Sequence, residues 1–280
     1  MSHMPELAEV ELARRMWNNG VGQTVQSIQV EESARIFRSC PVEDLESLVG
    51  EKLRATHRHG KRFYVTFGQR LHLEIHLGMT GKVSYEPAGY EHKKHDHLML
   101  ILEDGVLVLN DYRMFGKVSL HRISQPWGVL PPDPLSPEFT NAYVKKLKER
   151  KPNLKLKSVL LNQEFFPGVG NWMADEICWR LRLHPATQLK HVSAKVLYQE
   201  ALYVCQGAIT YVTEGNESAE REGETGFAPG GYVANVPPEE WLFQHRWKKG
   251  GFCPRCDVEL ERGTVATRTT AWCAKCQPLI

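Results

Sequence analysis

Short apolar segments bounded by turn residues dominate the first part of the chain. Each is rich in β-branched, aromatic or leucine residues and is flanked by Gly, Asp or Asn, which is typical of strands. They lie at residues 62–67, 71–76, 97–102 and 106–109. Their turn-length spacing predicts an antiparallel sandwich. One helix precedes them over about residues 8–19, where apolar side chains recur at helical spacing up to Gly20.

The pattern becomes helical after a proline-rich stretch. Residues 126–137 carry five prolines, and because proline lacks a backbone N–H donor we predict a linker there. Residues 213–240 are rich in Gly and Glu and lack periodicity, which predicts a long loop. Between these two stretches, apolar residues recur at i, i+3 and i+4 in four segments, at residues 139–149, 157–161, 172–182 and 194–212.

Four cysteines near the end of the chain form two Cys-x-x-Cys pairs separated by 16 residues. This spacing is typical of a structural zinc site, and the polar stretch between the pairs has the length of a β-hairpin. Two disulfides are the alternative. The other three cysteines are scattered singly, which favours buried, reduced thiols. The paired cysteines are Cys253, Cys256, Cys273 and Cys276.

These segments predict an α+β multidomain fold. An N-terminal antiparallel β-sandwich with its leading helix would occupy residues 4–125, the proline-rich linker residues 126–137, a helical domain residues 138–245, and a zinc-finger β-hairpin residues 246–280. Such a chain is long enough for two compact domains plus the finger.

The charges of the chain nearly cancel, giving +2 over 280 residues, so net charge does not indicate a partner. Their distribution is uneven, because seven basic residues face one acid, Glu149, between positions 145 and 157. A basic run is more often a solvated helix face, so it supports nucleic-acid binding only weakly. No apolar run reaches the length of a membrane span, and no signal-peptide pattern is present. We expect a soluble intracellular protein, located in the cytoplasm or nucleoid of a bacterium or in the nucleus of a eukaryote.

Two loop segments could contact nucleic acid. In residues 166–171, two glycines precede a predicted helix, so its free N–H groups and Asn171 could bind a phosphate; an ordinary interhelical turn is the alternative. In residues 110–116, Arg113 and Phe115 are two positions apart, so both side chains could enter a base stack together. A buried phenylalanine beside a surface arginine is the alternative.

The N-terminal residues could carry covalent chemistry. Pro5 follows Met4, which predicts that Met4 is the natural start and that residues 1–3 are an added extension. Methionine removal would leave Pro5 as a secondary amine that can attack C1′ of a sugar, with Glu6 as a proton carrier. A plain helix start is the alternative. Lys61, at a predicted strand entry, could bind a phosphate or move a proton, although exposed lysines are common.

These motifs, in this order, resemble the formamidopyrimidine-DNA glycosylase and endonuclease VIII family of bifunctional base-excision enzymes. The resemblance implies an N-terminal β-sandwich, a helix-two-turn-helix domain around Asn171 and a finger that holds structural Zn²⁺. It also implies a monomer that holds double-stranded DNA with an oxidised base or an abasic site in the cleft between the domains. The matching segments are residues 4–11, 60–61, 76–81, 94–97, 111–116, 167–171 and 268–270, followed by the last cysteine pair.

The resemblance also assigns roles by motif position. Pro5 would be the Schiff-base nucleophile, and Glu6 the acid that assists base loss and sugar-ring opening. Lys61 would contact a phosphate and serve proton transfer in β-elimination. Asn171 and Arg268 would hold phosphates beside the everted nucleotide, and Arg268 is associated with δ-elimination.

Other residues match the family's DNA contacts. His95, Arg113 and Lys151 match residues that touch DNA. Met79, Arg113 and Phe115 match the three residues that fill the space left by the everted base. Because this set is intact, the resemblance favours the formamidopyrimidine branch, which excises oxidised purines such as 8-oxoguanine and formamidopyrimidines and then cleaves the strand.

Three departures from the family pattern stand out. Ala8 replaces a proline, which a helix start tolerates. Met114 replaces an arginine and should weaken one contact with the DNA backbone. Residues 212–241 are longer, more acidic and richer in glycine than the family's lesion-capping loop. Two alternatives therefore remain: an endonuclease VIII-like preference for oxidised pyrimidines or hydantoins, and a protein that binds abasic or kinked DNA without cutting it.

Overall fold

The computed structural model describes residues 5–123, 130–213, 237–247 and 249–280. Within these residues, 5–123 form one compact unit and the other three ranges form a second. Of the predicted linker, residues 130–137 contain neither helix nor strand, and residues 126–129 lie outside the described part of the chain. The predicted loop at 213–240 and the predicted extension at residues 1–3 also lie outside it, apart from residues 213 and 237–240.

The first unit contains two four-stranded antiparallel sheets. Their strand orders are β1-β6-β7-β5 and β2-β3-β4-β8. Two short 3-10 helices, Arg35–Phe37 and Glu46–Leu48, lie between β1 and β2. The other elements are α1 (Leu7–Asn18), β1 (Val25–Val30), α2 (Val42–Leu45), β2 (Leu53–His59), β3 (Arg62–Phe67), β4 (Leu71–His76), β5 (Lys82–Pro87), β6 (Asp96–Leu102), β7 (Gly105–Asn110) and β8 (Lys117–Arg122).

One apolar core joins both sheets and α1. Phe63 and Ile75 from one sheet and Leu100 and Leu107 from the other are fully buried in the same cluster. Trp17 of α1 is also fully buried, its ring lies edge-on to Phe63 at 5.6 Å between centroids, and its indole N–H donates to a β7 carbonyl at 3.3 Å. Burial of such apolar surface is the main force that stabilises this unit.

The four predicted strands are the central strands of the two sheets. β3, β4, β6 and β7 each have neighbours on both sides, so they carry mostly apolar residues and are recognisable in the sequence. The four strands that sequence analysis missed, β1, β2, β5 and β8, are all edge strands. Polar and charged residues alternate along them, as is common where a strand borders solvent.

The second unit is helical, with a C-terminal hairpin. All four predicted helices are present, with ends that differ from the predictions by at most two residues. Thr140 caps α3 by accepting a hydrogen bond from the Tyr143 N–H at 3.2 Å. The elements are α3 (Asn141–Arg150), α4 (Leu156–Leu161), α5 (Asn171–Arg180), a 3-10 helix (Leu189–His191), α6 (Ala194–Thr213), α7 (Leu242–His245), β9 (Glu261–Val265) and β10 (Arg268–Trp272).

The predicted hairpin does not form a core of its own. Trp179 of α5 and Leu242 of α7 pack in one buried cluster with Leu260, Cys253 and Cys273 of the finger. The finger therefore belongs to the same compact unit as the helices. No helix in the described ranges is both long enough and apolar enough to cross a membrane.

Candidate active site and nucleic-acid interface

The start of α1 fixes the positions of Pro5 and Glu6. Glu6 is the N-cap residue, with extended backbone, and its N–H donates to Glu9 Oε2 at 2.9 Å in a reciprocal capping box. Glu6 is only 2 % exposed, and Pro5 is buried beside it. A carboxyl group at this end of a helix lies where the helix dipole favours negative charge. The helix begins at Leu7, so Pro5 precedes the first turn and lies outside it.

Lys61 occupies the two-residue turn between β2 and β3. Gly60 has a left-handed backbone (φ 56°), which such a tight turn requires. The Lys61 charge contributes to lowering the pKa of His76 to about 4, after the larger effects of burial and of the Arg62 charge. His76 Nδ1 accepts a hydrogen bond from the Gly78 N–H at 3.1 Å, so the neutral ring carries its proton on Nε2. An ammonium group and a neutral N–H donor near each other suit a phosphate.

Arg113 and Phe115 lie together on the loop after β7. The guanidinium carbon of Arg113 is 4.6 Å from the centroid of the Phe115 ring, which is a cation–π contact. Phe115 remains 42 % exposed. The alternative of a buried phenylalanine is therefore wrong. The pair offers an exposed ring and a cation of the shape that can enter a gap in a base stack.

Two other predicted DNA contacts lie in or next to these loops. His95 is half-buried with a left-handed backbone (φ 75°), and its carbonyl accepts a hydrogen bond from the Asp111 N–H at 3.1 Å. Met79 is half-buried in the loop between β4 and β5. Met114 also has positive φ (55°), and its side chain packs against the core of the first unit.

Asn171 and Arg268 lie close together in the second unit. Asn171 is the first residue of α5, and its Nδ2 donates to the carbonyl of Thr269 at 2.9 Å. Thr269 directly follows Arg268, which is exposed at the start of β10. Gly168, with a left-handed backbone (φ 90°), lets the preceding loop turn into α5. An exposed arginine one residue from the bonding partner of a helix N-terminal residue suits an anion such as a phosphate.

A buried ionic network fixes β10 to the helices. Lys157, part of the basic run that the sequence suggested to be a solvated face, is instead fully buried. Its Nζ donates to Asp175 Oδ1 at 2.6 Å and to Thr270 Oγ1 at 2.7 Å, and Arg246 Nη2 donates to Asp175 Oδ2 at 2.6 Å. Burial lowers the pKa of Lys157, and the Asp175 charge opposes that effect. Because the network joins α4, α5 and β10, the strand that begins at Arg268 has a fixed position relative to α5.

The four paired cysteines converge at one point. All four Sγ atoms lie within 4.8 Å of one another, and the four residues alternate between buried and half-buried. Sγ–Sγ distances of 3.4 Å (Cys256–Cys276), 3.5 Å (Cys256–Cys273) and 4.0 Å (Cys253–Cys276) are too long for disulfides. Thiolates around a tetrahedral ion with metal–sulfur bonds of about 2.3 Å stand roughly 3.8 Å apart. The cysteines can therefore hold a metal ion, and the disulfide alternative is wrong.

Comparisons with known proteins find relatives over nearly the full length of the chain. A family model described as the formamidopyrimidine-DNA glycosylase N-terminal domain matches residues 4–118, and a second, the H2TH domain of the same enzymes, matches residues 130–219. Proteins named formamidopyrimidine-DNA glycosylase from Carboxydothermus hydrogenoformans and from Bacillus subtilis are each 32 % identical to this chain. The alignments cover 98 % of this chain in both cases, and 100 % and 99 % of the relatives. This chain belongs to the formamidopyrimidine-DNA glycosylase family.

Solved structures of this family share the fold over nearly the full length. The complex between Lactococcus lactis Fpg (MutM) and DNA containing N7-benzyl-Fapy-dG superposes with a TM-score of 0.81 at 29 % identity, covering 98 % of this chain and 100 % of that one. The complex of the same organism's Fpg with DNA containing an abasic site gives 0.80 at 28 % identity, covering 97 % and 99 %.

Three polar residues near the site carry no signal of their role in the sequence. His76 is the first residue of the matching segment 76–81. Its neutral state follows from burial and from neighbouring charges that lower its pKa, and these neighbours are known only from the structure. Asp111 and Lys157 are charged residues that are fully buried, and burial is a tertiary property that no local pattern records. Lys151, in contrast, lies exposed at the C-terminal end of α3, as a DNA contact requires.

Proposed function

We propose that this protein is a DNA glycosylase and abasic-site lyase of base excision repair that removes oxidised purines from double-stranded DNA. The observation that carries the proposal is the intact Pro5–Glu6 pair at the capped start of α1, in a chain whose full-length relatives are named formamidopyrimidine-DNA glycosylase. The solved complexes of similar proteins with Fapy-dG-type and abasic DNA support the same substrate class.

Covalent chemistry is assigned to the N-terminal amine of Pro5. Its lone pair forms a bond to C1′ of the damaged nucleotide, while the glycosidic bond breaks and its electrons leave with the base, which takes up the proton that the amine nitrogen gives up. Glu6 supplies the proton that opens the sugar ring, which gives an iminium ion. The iminium withdraws electrons, so loss of the C2′ proton expels the 3′ phosphate, with Lys61 serving proton transfer.

Eversion and binding are assigned to two separate groups of residues. A base must leave the stack before its glycosidic bond is accessible, which costs a few kcal/mol. Met79, Arg113 and Phe115 offset that cost by filling the gap. Asn171 and Arg268, with Lys61 and the neutral His76, bind the phosphates. His95 and Lys151 are assigned as further contacts with the DNA.

We also propose that the four clustered cysteines hold Zn²⁺ as a structural ion. Four cysteines and no open position favour a structural over a catalytic metal. The indole N–H of Trp179 points to Cys253 Sγ at 3.3 Å, and the Cys276 N–H to Cys273 Sγ at 3.4 Å. Such donors stabilise thiolates and orient metal ligands.

Borohydride trapping on abasic DNA tests the nucleophile. A chain that begins at Pro5 should give a covalent adduct, whereas the chain that begins at Met1 should bind the same DNA and give none. In the longer chain the Pro5 nitrogen belongs to an amide, whose lone pair is delocalised into the carbonyl. Binding to an uncleavable abasic analogue serves as the control and should be similar for both. Equal trapping by the two forms would remove Pro5 from the mechanism.

A further inference from the structure

A buried carboxyl group joins the two loops that carry the proposed gap-filling residues. Asp111 is fully buried and Thr80 is 3 % exposed. Asp111 Oδ1 accepts a hydrogen bond from the Thr80 hydroxyl at 2.5 Å, and Oδ2 accepts one from the Gly116 N–H at 2.7 Å. Thr80 directly follows Met79, and Gly116 directly follows Phe115. One side chain therefore binds the neighbour of a gap-filling residue in each loop.

The same two loops are also in backbone contact. Gly78 has a left-handed backbone (φ 64°), and a Cβ atom there would lie 2.4 Å from the carbonyl carbon of Phe115. Only glycine fits so close an approach, because any side chain would displace the backbone of the facing loop. Arg38, between β1 and β2, donates a hydrogen bond from Nη1 to the carbonyl of Gly116 at 2.6 Å. This bond fixes the end of the second loop to the segment between these two strands.

We propose that Asp111 and Thr80 form a clasp that makes the Met79 loop and the Arg113–Phe115 loop one rigid wedge. They would act as positioning residues for base eversion and touch no substrate. Three side chains from two loops must enter one gap, and ordering independent loops at that step would cost conformational entropy. The clasp fixes their mutual positions before DNA binds. This inference rests on the gap-filling role proposed for Phe115.

Thr80→Val tests the clasp, because it keeps the shape of the side chain and removes only the hydroxyl. Thr80→Ser, which keeps the hydroxyl, is the conservative variant. Thr56→Val is the matched control: Thr56 is 8 % exposed in the same unit, and its hydroxyl donates to Asn18 and accepts from Arg14. Each variant is assayed in the chain that begins at Pro5, for thermal melting, for single-turnover excision of a paired oxidised purine, and for cleavage at a pre-formed abasic site.

Thr80→Val should slow excision about tenfold and change abasic-site cleavage little, since a small misplacement of a reacting or positioning group is enough to cost that factor. Thr80→Ser should restore excision. Thr56→Val should lower the melting temperature without selective loss of excision. In the Phe115→Ala background, Thr80→Val should cause no further loss, because the two changes disable the same wedge.

The outcomes separate this inference from the proposed function. If Phe115→Ala selectively slows excision but Thr80→Val does not, or if their losses multiply, the clasp is wrong and the wedge stands. If Phe115→Ala itself slows excision and cleavage equally, the gap-filling role fails and the clasp with it. Should Thr80→Val fail to fold, Asp111→Asn gives the same comparison. Both carboxyl oxygens of Asp111 accept hydrogen bonds, and the amide nitrogen of asparagine cannot accept one, so one of the two bonds is lost.

Discussion

Phe115 has a large apolar ring that is 42 % exposed and lies against the Arg113 guanidinium. An exposed ring adds little to the free energy of folding. We therefore expect Phe115 to contribute to base eversion instead. Phe115→Ala should strongly reduce single-turnover excision of a paired lesion and barely change cleavage at a pre-formed abasic site, where no base has to leave the stack. Matched duplexes with and without the base provide the measurement. Equal losses in both assays would show that Phe115 supports the fold or general DNA binding.

Arg268 should behave differently, because its proposed partner is a phosphate. Arg268→Ala should weaken binding to every duplex and reduce the slope of log K against log salt concentration by about one. Arg268→Lys, which keeps the charge but loses the planar guanidinium, should retain most of that slope. Titrations at several salt concentrations, with damaged and undamaged duplexes, measure it. A slope unchanged by Arg268→Ala would place this residue away from the DNA.

At the scale of elements, helix α5 carries a buried acid of interest. Glu176 is fully buried, its Oε2 accepts a hydrogen bond from the Phe243 N–H at 3.1 Å, and its Oε1 lies 3.7 Å from Arg180 Nη1. Burial raises the pKa of Glu176 to about 8 from an ordinary 4.5, against the opposing effect of Arg180. The group therefore joins α5 to the first residues of α7 mainly in its protonated form.

The stability of the second unit should consequently fall as pH rises. Between pH 4.5 and 8 the folded state binds a proton at Glu176 that the unfolded state has released, so the free energy of unfolding decreases with pH through this window. The slope is at most about 1.4 kcal/mol per pH unit. Glu176→Gln should flatten the dependence, measured by urea unfolding at pH 5 to 8. Glu200→Gln, at the half-buried partner of Arg180, should leave it in place; a Glu176→Gln slope equal to the parent's would contradict the assignment.

Elements differ in how far the sequence could predict them. β3 and β4 were recognisable because Phe63, Val65, Leu73 and Ile75 alternate toward one core in short uninterrupted segments. Strand β2 lies at the edge of its sheet and pairs with one neighbouring strand only. It carries several Arg and His residues, so its sequence resembles that of a loop. The C-terminal hairpin with its cysteine cluster was predicted correctly because the spacing of the cysteines is a local property of the chain.

Across the whole molecule, the candidate site also divides into residues that local sequence predicts and residues that only tertiary contacts bring together. Pro5, Lys61, Asn171 and the cysteines belong to short motifs and could be found in order along the chain. The groups that hold those motifs in place, such as Asp111 and Lys157, make bonds to residues distant in sequence: Lys157 to Thr270 spans 113 positions. No periodicity or spacing encodes such a pair, so only the structure reveals it.

Metal removal should affect the two units differently. Chelation or Cys253→Ser should unfold the hairpin and abolish DNA binding, while the β-sandwich keeps its fold, because ligation energy is folding energy for so small a module. Limited proteolysis and binding to an abasic analogue measure the two effects. Elemental analysis should find one zinc per chain in protein purified without chelator. Cys40→Ser removes a thiol outside the cluster and should keep the metal; absence of zinc in the parent protein would overturn the assignment.

Helix α5 runs from the proposed phosphate clamp to the thiol cluster. It begins at Asn171, and its ninth residue, Trp179, contacts Cys253 Sγ, so about 12 Å of helical backbone joins the two. With the roles proposed above, an enzyme that removes oxidative damage would depend for its DNA contacts on four side chains that oxidants attack. Ligation of the proposed metal would protect them, and stress severe enough to oxidise them would disable repair when lesions are most abundant.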